Sequence, residues 1–359
     1  MASSKNSIGI IGVGFGAQVH VPAFRSEGWD VAAICSRTRE KAQKAADEAG
    51  IPSVYTDPTE LIRRDDLAAV AIITPPGSHH PLSIAALNAG KHVLCEKPFA
   101  LDAKQAEEMR AAAAKSGKTA MVAHEFRHTP QRAYIRQLLA EDYIGKFQLC
   151  TLELFLDRYV SREPRPLTWQ AYKSEGGGLL GALGSHYIDG LRFWFGEIAS
   201  VTGWLAGLRP DVVDTVTRKI VKAETDDSFS FTMTFKNGGM ATMTSSFAVT
   251  PARGAKIAVM GERGTLIAEH PGPNPLENGV VVASRDGAPL QELKTPAQYI
   301  PFTDARDHRL MAFRLLVRDF TKGIEQGSSP APNFTDGLRG QQVLDAVRES
   351  SASGRTVNL

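Results

Sequence analysis

Apolar positions in the first third of the chain fall in short runs, each followed by a stretch with helical spacing. Ile8, Ile10 and Ile11 open the series. Residues 29–35, 67–73, 92–95 and 119–123 continue it as strands, and 18–25, 38–50, 81–90 and 102–116 read as helices between them. Strands alternating with helices predict a parallel sheet covered on both faces, with ligand at the carboxyl ends of the strands. The alternation stops near residue 124. Residues 129–141 then read as a helix with Pro130 in its first turn, and 146–156 begins a different pattern. Residues 227–235 alternate strictly, with Phe229, Phe231, Met233 and Phe235 on one face and Ser228, Ser230, Thr232 and Thr234 on the other. Asn237-Gly238 is a favoured hairpin turn, and 198–205, 240–247, 256–260, 265–268 and 279–283 supply further strands. This is an α/β domain, residues 1–124, followed by an α+β domain, residues 125–359, with a large, mostly antiparallel open sheet. Helices at 309–324 and 338–351 are expected to cover the apolar face of that sheet. Residues 271–278 and 295–304 read as loops.

The first strand runs straight into Gly12-x-Gly14-x-x-Ala17. Gly12 permits a tight turn, Gly14 removes a Cβ where a pyrophosphate would approach, and Ala17 lets the next helix pack close. Phe15 and Gly16 complete the loop. In this strand–turn–helix setting the pattern predicts a Rossmann dinucleotide-binding domain with the phosphates at the helix N-terminus. The second strand ends in Ser36-Arg37-Thr38-Arg39, with no carboxylate to accept from a ribose 2′-hydroxyl. A guanidinium and two hydroxyls suit a 2′-phosphate, so NADP(H) is the expected cofactor. If Arg37 instead stacks on the adenine, NAD(H) is accepted as well.

Two later strand ends carry polar residues among prolines. Thr74-Pro75 leaves the sheet and leads to His79 at the head of a helix, where packing and capping beside the cofactor are its expected role. Glu96-Lys97-Pro98 places a lysine beside a glutamate at the mouth of the nucleotide site, a candidate acid or hydrogen-bond donor. The Gly12–Ala17 turn, Thr74-Pro75 with His79, and above all Glu96-Lys97-Pro98 at this distance resemble the Gfo/Idh/MocA oxidoreductases. The resemblance runs over essentially the whole chain.

In the second domain the run Gly176-Gly177-Gly178 continues through Gly181, Ala182 and Gly184 to His186 and Asp189. It matches the family's glycine-rich run with its terminal histidine. The resemblance implies that Lys97 and His186 are the catalytic pair, and that many relatives carry an aspartate where this chain has Ala182. Asp189, His124 or Tyr159 replaces that carboxylate, or His186 works with Lys97 alone, or ordinary alcohol oxidation has been lost. His124 and Arg127 follow the last parallel strand and are expected near the substrate. Tyr159, Trp169 and Tyr172 form either a platform for a sugar ring or a plug for the core. The charged run 304–308 reads as surface.

Composition bounds the partners. The 359 residues carry a net charge of +2, are 43% apolar and 22% charged, and contain no apolar run of membrane-spanning length, so neither nucleic acid nor membrane is expected. The opening 1–7 reads as a frayed start and not as a signal peptide. Cys35, Cys95 and Cys150 lack metal-ligand spacing; buried thiols in the cytoplasm are expected, and no metal. The resemblance implies an NADP(H)-dependent oxidoreductase acting on a secondary alcohol or ketone of a sugar, cyclitol or glycoside. It also implies a homodimer or homotetramer formed through the Ser/Thr face. The alternatives are a glycoside-cleaving enzyme that oxidises its substrate transiently with retained cofactor, and a non-catalytic NADP-binding regulator.

Overall fold

The structure is a computed structural model that describes residues 6–161, 163–270 and 280–359. The loop expected at 271–278, Gly279 and the opening residues 1–5 lie outside the described residues. The chain divides into two compact units, Met1–Glu125 with Asp304–Gln341, and Phe126–Thr303 with Gln342–Leu359.

In the first unit, β1 (Ser7–Ile11), β2 (Asp30–Cys35), β3 (Ser53–Tyr55), β4 (Ala69–Ile72), β5 (His92–Cys95) and β6 (Ala120–Val122) form a parallel sheet. Their order is β3-β2-β1-β4-β5-β6. Five strands were expected; β3 is the addition. It is three half-buried residues long, too short for any periodicity to show in the sequence. The connecting helices are α1 (Val21–Ser26), α2 (Arg39–Ala49), α3 (Pro58–Ile62), α4 (His79–Asn88) and α5 (Ala103–Ser116). Asp57 and Asp102 cap α3 and α5, accepting the N–H groups of Thr59 and Gln105 at 2.8 Å.

The second unit contains α6 (Pro130–Ala140) and α7 (Ser185–Phe195). Its strands are β7 (Phe147–Phe155), β8 (Arg165–Pro166), β9 (Ile198–Ala206), β10 (Asp211–Val213), β11 (Ile220–Lys222), β12 (Ser228–Phe235), β13 (Met240–Ser246), β14 (Gly254–Gly261), β15 (Gly264–His270), β16 (Val280–Arg285), β17 (Gln291–Leu293) and β18 (Val357–Asn358). Nine of them form one sheet in the order β17-β16-β15-β14-β7-β13-β12-β9-β18. Neighbours run antiparallel except β7 and β13. The alternation along β12 holds: Phe229, Phe231, Met233 and Phe235 are buried in the core. Each such side chain buried contributes about 1.5–3 kcal/mol. On the other face hydroxyls bond across strands, Ser230 to Thr244 at 3.0 Å and Ser200 to Thr234 at 2.7 Å.

The helices that cover the apolar face are α6 and α7, through Ile135, Leu138, Ile188, Leu191, Trp194 and Phe195, joined by Val343, Leu344 and Val347 of the helix Phe334–Ser353. The helix Leu310–Gln326 does not, contrary to expectation. Its Phe313, Leu316, Val317 and Phe320 pack with Val19, Phe24 and Trp29 of the first unit. Trp29 Nε1 donates to Thr321 Oγ1 at 2.8 Å, and Arg314 and Arg318 both bind Glu27, at 2.7 and 2.6 Å. An apolar stripe states that a helix face is buried, not which surface receives it. Beyond the expected boundary at residue 124, the chain returns to its first unit over Asp304–Gln341.

Candidate active site

The glycine turn is shaped by two different demands. Gly12 has φ +120°, and a Cβ there would stand 2.2 Å from the carbonyl oxygen of Ile73, so only glycine fits. A Cβ on Gly14 would meet nothing within 4 Å. That open face is the space a pyrophosphate needs, and the residues present fit a dinucleotide. The chain enters α1 through a π-helical turn, Gly16–His20, whose last residue is fully buried. Phe15 lies edge-on to Phe313, with the Arg309 guanidinium 5.1 Å from its ring.

His20 Nε2 meets Glu96 Oε1 at 2.8 Å, and Glu96 Oε2 accepts the N–H of Lys97 at 3.1 Å. Burial alone would raise the Glu96 pKa. The hydrogen bond from His20 and the nearby Lys97 charge outweigh it and hold the carboxyl below its ordinary value. Burial keeps His20 below its ordinary value, so a neutral ring donates to an ionised carboxylate. The Lys97 backbone is thereby tied to a buried anion just past β5. His79 is buried too: Nε2 reaches Thr74 O at 2.8 Å and Nδ1 reaches Pro98 O at 3.1 Å. Burial lowers its pKa, and a neutral ring has one N–H to give, which the shorter contact to Thr74 takes. His79 lies between the Thr74-Pro75 loop and the Lys97-Pro98 loop, with its one N–H given to the Thr74 carbonyl. Ser36 is half-buried and Arg37 and Thr38 are exposed past the end of β2, where Ser36 N–H donates to Tyr55 O and Thr38 occupies the cap position of α2. His124 is buried just after β6.

In the second unit Gly178 has φ +106°, and a Cβ there would come within 2.3 Å of Asp226 Oδ1. Asp226 Oδ2 accepts the N–H of Leu180 at 2.7 Å, which docks the glycine run on this aspartate. A second π-helical turn, Leu180–Gly184, leads into α7. The His186 ring lies flat on Phe126, with centroids 3.7 Å apart and an interplanar angle of 8°. The Arg132 guanidinium lies 4.3 Å from the Phe126 centroid and 4.7 Å from that of Tyr187. With His186 covering one face of Phe126, Arg132 takes the other. Arg127 and Asp189, both expected near the substrate, form a buried bidentate pair at 2.7 and 2.6 Å. That pairing ties α7 to the segment ahead of α6. Tyr159 is half-buried, edge-on to Phe247 and under the Arg165 guanidinium at 4.0 Å. Trp169 is half-buried in a short turn, and Tyr172 is exposed.

Ala182 lines a small crevice together with Asp226, Tyr159 and Gln170. Burial raises the Asp226 carboxyl above its ordinary value against the pull of the Leu180 N–H. His20, Arg132 and Asp226 were all missed by sequence reasoning. His20 and Asp226 act through partners 76 and 46 residues away, and no local spacing signals such a pair. Phe126 was legible as the partner of Arg127 in a Phe-Arg pair near the substrate, but its stacking on His186 was not.

Residues 6–124 match the oxidoreductase family, NAD-binding Rossmann fold, and residues 136–359 match its C-terminal alpha/beta domain. The chain belongs to the Gfo/Idh/MocA oxidoreductase family. Its fold is the family's, and it is an NAD(P)-dependent oxidoreductase by class. Among Gfo/Idh/MocA relatives, an uncharacterized oxidoreductase of Synechocystis is 29% identical over 98% of this chain and 95% of its own. The levoglucosan dehydrogenase of Pseudarthrobacter phenanthrenivorans is 26% identical over 98% of both chains. A levoglucosan dehydrogenase solved in complex with NADH shares the fold with a TM-score of 0.87 at 24% identity, covering 98% of each chain. An oxidoreductase domain protein from Kribbella flavida superposes with a TM-score of 0.87 at 28% identity, again over 98% of each chain. No helix among the described residues is long and apolar enough to cross a membrane.

Proposed function

We propose that this Gfo/Idh/MocA oxidoreductase interconverts a secondary alcohol and a ketone on a sugar, cyclitol or glycoside, with NADP(H) as its preferred cofactor. The observation that carries the reading is the buried His20–Glu96 pair, which ties the Lys97 backbone to the end of β5 beside the dinucleotide turn. The likeness to a levoglucosan dehydrogenase along nearly the whole of both chains supports a carbohydrate-like substrate.

The glycine turn from Gly12 to Ala17 holds the pyrophosphate, with Thr74, Pro75 and His79 shaping the adjoining wall. The bound nicotinamide supplies hydride transfer. Lys97 hydrogen-bonds the reacting oxygen and stabilises the negative charge that develops on it. His186 takes the hydroxyl proton in oxidation and returns it in reduction. The flat contact with Phe126 fixes the plane of its ring. Trp169 and Tyr172 offer apolar faces to the sugar. Ser36, Arg37 and Thr38 favour the 2′-phosphate, because the end of β2 carries a guanidinium and hydroxyls and no acid.

Oxidation of a sugar panel with NADP or NAD, followed by absorbance of the reduced cofactor, tests both parts. The ratio of kcat/KM is expected to favour NADP. Arg37→Glu should lower it by about ten- to hundredfold, the worth of a charge-assisted hydrogen bond. Equal use of both cofactors by wild type and variant refutes the preference. The open Ser/Thr face, with Trp204 52% exposed upon it, supports a homodimer or homotetramer. Sedimentation should show the oligomer, and Trp204→Lys should dissociate it. The three buried thiols, Cys35, Cys95 and Cys150, fit a reducing cytoplasm.

A further inference from the structure

The crevice beside Ala182 has a volume of about 20 Å³, room for one water-sized group. Its walls differ in chemistry. Tyr159 and Phe247 meet edge to face at 5.3 Å and form an apolar side. Gln170 closes another side, its Oε1 3.4 Å from the Tyr159 hydroxyl. Asp226 stands opposite, with Oδ2 held by the Leu180 N–H and Oδ1 over Gly178. That oxygen approaches so closely because residue 178 has no side chain. The small side chain of Ala182 leaves the space between them open, and exposed Gln170 marks the mouth. The nearby cation is already committed: Arg165 lies over Tyr159 and donates to Arg209 O at 2.6 Å.

We infer that this crevice is a hydroxyl subsite, seating one neutral hydroxyl of a polyol or sugar, with Asp226 as its acceptor and the Tyr159–Phe247 wall against the adjoining C–H. The argument rests on the proposed function for the polyol class and deepens it. A carboxylate or phosphate is repelled by Asp226, and a methyl ether exceeds the available volume. A deoxy sugar leaves a desolvated acceptor unmatched, so the subsite discriminates by hydrogen bonding and not by shape alone.

Calorimetric titration of the full chain loaded with reduced cofactor tests this, with levoglucosan, D-glucose, myo-inositol and glycerol as probes. At least one probe should bind. Asp226→Asn and Ala182→Leu should each weaken that binding about ten- to hundredfold, and the loss in turnover should fall on KM rather than kcat. Asparagine keeps an oxygen for the Leu180 N–H, so melting temperature reads the structural role separately. Unchanged affinity in both variants, or no binding by any of the four probes, overturns the subsite. Turnover of a sugar with unaltered variants removes the subsite and leaves the proposed function. Binding lost in the variants of a chain that reduces no cofactor does the reverse.

Discussion

His20 and His186 are both buried, and both follow glycines through a π-helical turn, yet they are held in different ways. His20 is pinned edge-on, by a hydrogen bond to an ionised carboxylate. His186 is pinned face-on, by a phenyl ring. An edge-on bond fixes the tautomer and spends a ring nitrogen on structure. Stacking fixes the plane of the ring. The first arrangement suits a support for the Glu96–Lys97 backbone. The second holds the ring plane of the residue proposed above to exchange a proton. The same local signature, glycines before a helix and then a histidine, is therefore held by different distant partners.

The sharpest way to break the comparison is kinetic. His186→Ala and Lys97→Ala should each lower kcat by about 10²–10⁴ with little change in melting temperature, the usual weight of a general acid or base. His20→Ala should behave otherwise. It strands the Glu96 carboxylate in the interior, at a cost of about 3–5 kcal/mol in denaturant unfolding. A stable His20→Ala variant with the same kinetic loss as His186→Ala would erase the distinction.

The glycines sharpen it further. Gly12→Ala and Gly178→Ala force a side chain onto a positive φ and into an oxygen, so each should cost at least the roughly 1–3 kcal/mol of a strained backbone. Gly14→Ala meets no protein atom and should leave unfolding unchanged while weakening cofactor binding, read by fluorescence titration.

The last test is of pH dependence. Burial lowers the pKa of His20, His79, His92 and His128 below the ordinary 6.5, to about 4 for His92 and His128, where the Lys118 and Arg127 charges add to it. Below pH 6.5 the unfolded chain takes up protons that the folded chain refuses, so stability falls as pH drops from 6.5 towards 4. Glu96, depressed in the folded state, adds a further loss below its ordinary 4.5. Urea midpoints that stay constant from pH 7 to about 4 contradict the neutral-histidine assignment.

Legibility followed the range of the interactions. The parallel sheet, the dinucleotide turn and the strict alternation of β12 were legible because each is written within about ten residues, the length of a strand or turn. So were Lys97 and His186 as candidates, through the motifs around them. The mutual pairing of Arg127 with Asp189 was not, although both residues had been singled out, because a pair 62 residues apart leaves no local trace. Ala182 read as a missing carboxylate. The structure brings Asp226 to the same crevice from a different part of the chain, ahead of β12.

By itself the sequence determined the class of fold, the dinucleotide turn and the family, since hydrophobic period and glycine spacing are properties of contiguous residues. Tertiary structure alone decided that the helix Leu310–Gln326 returns to the first unit, that His20 is a support and that Asp226 stands beside Ala182. Those outcomes depend on which buried surfaces and buried polar groups meet. Complementarity of packing and pairing between residues far apart in the chain settles that, and no local pattern encodes it.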